Sequence, residues 1–216
     1  MPPSPMFEKR LMQAAKAYSA VLSPFFAPAL AFLWLMCFSY LRIFSWQYKL
    51  FVLLILLVFT LFLPRIAIGL LRRLNRWTHH QLSHREHRYL PYTLTLLSYF
   101  TCLILLTQVN VPVIFRSVVM ASIVTIIICF LLNTRWKIST HMAGAGGLTG
   151  MLLAFSFLFY YNPLWPLCLF ILLSGLLGTC RMVLRQHTLG QVLAGYAIGF
   201  LCALLALLFL WVPGWY

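Results

Sequence analysis

The stretch LGQVLAGYAIGFLCALLALLFLW, residues 189–211, contains no charged side chain. A helical bilayer crossing needs about 20 mostly apolar residues, because the hydrocarbon core is roughly 30 Å thick. Residues 189–211 meet that requirement alone. Comparable runs are read at 21–40, 50–71, 90–108, 112–132, 143–160 and 163–180. All are continuously apolar, so a transmembrane barrel, which needs period-two alternation, is excluded. An open sheet is excluded too, since lipid satisfies no edge groups. The expected fold class is all-α: a polytopic transmembrane helix bundle of six or seven spans. With no long linker or repeat, residues 1–216 read as a single domain, with 1–20 as a basic N-terminal arm.

Composition agrees. Hydrophobic residues make up 63% of the chain and charged residues 8%, against about 25% charged in a typical soluble domain. Sixteen Lys and Arg face two acids, Glu8 and Glu86, and there is no Asp. Paired-carboxylate hydrolysis needs two acids in one site. Two-metal chemistry also leans on carboxylates. Any catalysis therefore falls to His, Lys, Arg, Tyr, Ser, Cys or backbone groups. The six cysteines form no C-x-x-C pair and read as small packing residues.

Polar residues collect in the arm and in three later clusters: 72–89, 133–141 and 180–191. Two spans separate each cluster from the next. Two crossings return the chain to the side it left, so all three clusters share one membrane face. The positive-inside rule puts that face in the cytoplasm of a multi-pass protein of the cell (inner) membrane. Within 72–89, His79, His80, His84 and His87 invite a metal reading. However, Arg72, Arg73, Arg76, Arg85 and Arg88 surround them and would repel a cation. The segment is read as interfacial, touching anionic lipid. No metal, cofactor or nucleic-acid partner is expected.

The other two clusters carry the chemistry. In 181–199, His187 and Gln191 are spaced i and i+4, which stacks them on one face of a continuous helix. Gly195 and Gly199 continue that ridge, marking it as facing another helix. Arg181 lies about 240° from His187 on a continuous helix, so a break within 181–188 is required to bring them together; Gly190 permits one. In 135–147 (RWKISTHMAGAGG), Lys137 and His141 are again i and i+4 if helical. A helix starting here would aim free N–H groups at an anion.

These residues resemble the signatures of the type-2 phosphatidic acid phosphatase superfamily, membrane lipid phosphatases related to vanadium haloperoxidases. That family carries K-x6-R-P, P-S-G-H and S-R-x5-H-x3-D. Arg181-x5-His187 matches the core of the third, and ISTH at 138–141 sits where the second belongs. VLAGYAIG at 192–199 is similar as well. The likeness covers roughly the C-terminal two-fifths, and the rest by topology only. There are departures. Cys180 replaces Ser, Ile138 and Thr140 replace Pro and Gly, and Gln191 stands in place of Asp. The nearest first-signature candidate is REHRYLP at 85–91, with Arg88 before Pro91.

The resemblance implies metal-independent hydrolysis of a lipid phosphate monoester or polyprenyl pyrophosphate through a phosphohistidine. His187 is the implied nucleophile and His141 the acid and base. Arg181, Lys137, Arg88 and Ser139 are implied to hold the phosphoryl oxygens, and Gln191 to orient His187. The expected partners are a lipid phosphate substrate (phosphatidic acid, phosphatidylglycerol phosphate, polyprenyl pyrophosphate or a phosphorylated glycolipid) and the surrounding membrane lipids. Two other readings stay open: a non-catalytic relative that binds or moves anionic lipids, and an unrelated small-molecule transporter.

Overall fold

The computed structural model describes residues 5–38, 43–74 and 89–210. Among these, the chain is 87% helical with no strand, and seven helices are long and apolar enough to cross a membrane. They are α1 (Pro5–Val21) continuing into α2 (Ala27–Phe38), α3 (Trp46–Leu56) continuing into α4 (Leu63–Leu74), α5 (Tyr89–Gln108), α6 (Val113–Leu132), α7 (Thr140–Phe159), α8 (Leu164–Val183) and α9 (Leu189–Leu210).

Proline sets the irregularities of the first two spans. Pro24 opens a short 3-10 turn, Pro24–Phe26, and Pro28 lies in the first turn of α2. A missing N–H costs nothing at those places. The helical arm α1 folds back on α8, where the Tyr18 hydroxyl donates to the Leu173 carbonyl (3.0 Å). The second span contains a π-helical segment, Leu57–Phe62, just ahead of Pro64. Pro64 cannot donate to Thr60 O, the carbonyl four residues back. The Tyr99 hydroxyl reaches that oxygen instead (3.4 Å), and Ser98 donates to the neighbouring Phe59 O. Two groups on α5 thus satisfy carbonyls that the π segment leaves over.

The most buried span is α7, and its partnership with α9 shapes the bundle. The two helices meet backbone to backbone. A Cβ added at Gly146 would lie 2.0 Å from Tyr196 O, and at Gly150, 2.2 Å from Phe200 O. Reciprocally, a Cβ at Gly195 would lie 2.5 Å from Ser139 O, and at Gly199, 1.8 Å from Ala143 O. In lipid, where tails are as apolar as leucine, such close packing is what holds helices together. It also fixes the start of α9 beside the loop that precedes α7.

One large core cluster runs through the bundle. Phe32, Leu106, Ile114, Phe115 and Phe155 are almost wholly buried there, and Phe32 meets Phe115 edge to face at 4.9 Å. Several members of the same cluster, among them Ala31, Val118 and Met151, also line a cavity.

Candidate functional site

The α8–α9 connection forms one wall of the site. Arg181 sits in the last turn of α8, buried. The helix then stops through a left-handed residue, Arg185 (φ 52°). Gln186 N–H donates to Arg181 O (3.2 Å) and Arg185 N–H to Met182 O (2.8 Å). This pairing is a Schellman ending, which satisfies the last carbonyls of α8. The break needed between Arg181 and His187 is therefore present, at Arg185. Gly190 instead lies in the first turn of α9, with a Cβ position 3.4 Å from the Trp136 ring.

His187 is buried and stands outside α9, so the expected shared helix face does not exist as drawn. The two side chains still meet, for a different reason. Thr188 caps α9, its carbonyl accepting from Val192 N–H (3.1 Å). Gln191 reaches back so that Oε1 accepts from Thr188 N–H (3.2 Å) and contacts His187 Nδ1 (3.2 Å). Half of a capping box thus doubles as the histidine's partner. The backbone donor identifies this atom as the amide oxygen, since the flipped amide would set NH₂ against N–H. An amide oxygen only accepts, so Nδ1 carries the hydrogen, and in the neutral ring Nε2 holds the lone pair.

The α6–α7 connection forms the other wall. Lys137, half-buried, lies in the irregular loop and not in a helix, so it does not share a helix face with His141. The chain must bend here to bring Ser139 against α9: Ser139 N–H donates to Gln191 O (3.4 Å), and Ser139 O abuts Gly195. Ser139 is fully buried at the N-cap position of α7, but its side chain caps nothing, and its Oγ has no hydrogen-bond partner among the described residues. His141, half-buried, is the second residue of α7. The first-turn N–H groups of α7 have no intrahelical acceptor and add the positive end of the helix dipole.

The structure thus joins Ser139, Gln191 and His187 by hydrogen bonds and keeps Arg181 in the turn leading to His187. Lys137 and His141 flank Ser139 within two residues. Arg88, with His79, His80, His84 and His87, lies outside the described residues. The only carboxylate side chain within them is Glu8, exposed on α1. Thr188 is the working residue the sequence reading passed over, although T-x-x-Q at 188–191 is a legible capping signature. No protein-family model, no curated protein and no solved structure matches this chain.

Proposed function

We propose that this protein is a membrane lipid phosphatase that works without a metal, through a phosphohistidine on His187. One observation carries the reading: a buried imidazole whose Nδ1 lies 3.2 Å from Gln191 Oε1, a contact that favours the tautomer with its lone pair on Nε2. A buried guanidinium in the preceding turn supports it, since intramembrane charges are costly and mark functional sites by default.

The proposed chemistry balances in two steps. His187 Nε2 forms a bond to phosphorus as the bond to the lipid oxygen breaks, and His141 in its cationic form gives that oxygen a proton. Water then attacks phosphorus, losing a proton to His141, and the N–P bond breaks. Inorganic phosphate leaves and both imidazoles return to their starting forms. Arg181, Lys137 and the α7 N-terminus hold the phosphoryl oxygens. In phosphoryl transfer, such positioning and charge stabilisation supply nearly all the catalysis.

Gln191 supplies no negative charge to offset the imidazolium. In the serine-protease example, Asp to Asn costs about 10⁴ in rate through the wrong tautomer. That penalty does not apply here, because Thr188 N–H pins the amide oxygen toward the ring. Only the missing charge slows the reaction. The same neutrality favours the second reading, a relative that binds anionic lipid without turnover.

Phosphate release by the purified protein, from a panel of phosphatidic acid, phosphatidylglycerol phosphate and polyprenyl pyrophosphate, decides between them. The phosphatase reading expects release that is lost in His187→Ala and His141→Ala while both variants keep the wild-type Tm. A folded wild type that binds the lipids and releases nothing leaves the binding protein.

A further inference from the structure

The site above does not account for a cavity of about 210 Å³ that lies among the 3-10 turn, α2, α4, α5, α6, α7 and α9. At one end it is bounded by Thr140, the residue between Ser139 and His141, together with Pro91 and Tyr92. At the other it is bounded by Ala31, Met151 and Leu207. Thr140 and Met151 are eleven residues apart on one helix, about 16 Å at 1.5 Å per residue. The cavity therefore runs from the polar loops toward the middle of the bilayer.

Its walls are mainly apolar, and four of the hydroxyl residues that face it are engaged elsewhere. Three hydroxyl residues facing it donate to their own helices: Thr95 to Pro91 O (2.7 Å), Ser122 to Val118 O (2.9 Å) and Thr125 to Ala121 O (2.8 Å). The Tyr99 hydroxyl is committed to Thr60 O. A polar solute would have to give up its hydration and find these donors already engaged. Elsewhere the wall alternates larger apolar residues with small ones such as Ala27, Ala121, Ala143, Gly144 and Gly147, which leave a slot. An apolar cavity of ~150 Å³ stays dry and takes benzene, so this one is large enough for hydrocarbon.

We propose that the cavity seats one hydrocarbon chain of a membrane lipid, with the headgroup of that lipid over Ser139 and His141. Only the headgroup placement rests on the phosphatase reading; the chain seat stands on the cavity alone. The occupant is a single chain and not a pair, because about 210 Å³ is only modestly more than the ~150 Å³ that takes one benzene. Its depth sets the length of chain that fits, so residues midway down the slot govern chain selectivity.

The test uses the full protein in phosphatidylcholine vesicles doped with phosphatidic acid that carries a photoactivatable diazirine at mid-chain. After illumination, adducts are mapped by peptide mass spectrometry. The expected adducts fall on the cavity segments of α5, α6 and α7, around Tyr99, Ala121 and Met151. Ala121→Leu, which fills the slot, should lower their yield at least tenfold; Thr125→Leu serves if that variant does not fold. Adducts confined to lipid-facing residues such as Leu172, Leu201 and Phe209, or cavity adducts undiminished in the filled variant, would overturn the proposal. Cavity labelling without phosphate release would sink the phosphatase reading alone. Release without cavity labelling would sink the chain seat alone.

Discussion

Replacing Gly199 by alanine should pry the bundle apart at its tightest seam. The new Cβ would sit 1.8 Å from Ala143 O, where ordinary contact begins near 3.4 Å, so the helices must separate by about 1.6 Å. The obstacle is a backbone oxygen in a helix, which cannot rotate away as a side chain can. The Ser139 N–H to Gln191 O bond, already 3.4 Å long, has no slack to absorb the shift. Overpacking a well-packed core costs about 1–3 kcal/mol, occasionally more, which for a chain of this size is a fall of about 3–10 °C in Tm. Gly146→Ala, at 2.0 Å from Tyr196 O, should behave alike. Gly69→Ala and Gly175→Ala meet nothing within 4 Å. They should melt with the wild type or slightly above it, because glycine inside a helix is about 0.5–1 kcal/mol worse than alanine. The unfolding assay reads buried thiols: Cys102, Cys129 and Cys202 react with a fluorogenic maleimide only once the fold opens. If Gly199→Ala and Gly146→Ala melt no earlier than Gly69→Ala and Gly175→Ala, the backbone contact between α7 and α9 is not what holds this seam.

Three further outcomes are expected. Gln191→Ala removes both the cap acceptor and the ring partner of His187; it should cost about 1 kcal/mol in stability and lower phosphate release at least a hundredfold, whereas Gln191→Glu keeps both contacts, adds the missing charge and should match or exceed the wild-type rate. A Gln191→Ala chain with full turnover removes Gln191 from the mechanism. Arg181→Lys keeps the charge but loses the planar fork that grips two oxygens, so release should fall at least tenfold with an unchanged Tm; an unchanged rate would place Arg181 outside phosphate binding. Finally, release should continue at the wild-type rate in excess EDTA, and a tenfold loss there would point to a metal-dependent reaction.

Most of the architecture was legible because lipid imposes a simple rule, about 20 apolar residues per crossing, and the chain obeys it seven times. What escaped depended on contacts between distant segments. The first span was read from residue 21, yet helix begins at Pro5, because α1 is amphipathic and gains its place from Tyr18 bonding to Leu173. The π segment before Pro64 needs Ser98 and Tyr99 of another helix to satisfy it, which local sequence does not reveal. The two G-x-x-x-G ridges were visible, but not that each seats on the other. At the site, the residue types were readable and the geometry was not. The i, i+4 spacing of His187 and Gln191 suggested a shared helix face; the actual contact arises because Gln191 folds back to cap the helix that His187 precedes. The break before His187 was required by the 240° offset, but it falls at Arg185, a residue with no Gly-like signature. Its left-handed conformation is held by the Schellman bonds to Arg181 and Met182.

The central claim is that the Nε2 atom of His187 takes up the phosphoryl group. Acid-labile phosphoryl-histidine is retained when the protein, mixed with ³²P-labelled lipid phosphate, is quenched and digested under alkaline conditions. Label is expected on the peptide carrying His187, and none in His187→Ala. A wild-type chain that releases phosphate while that peptide stays unlabelled contradicts it, as does a folded chain that neither labels nor releases.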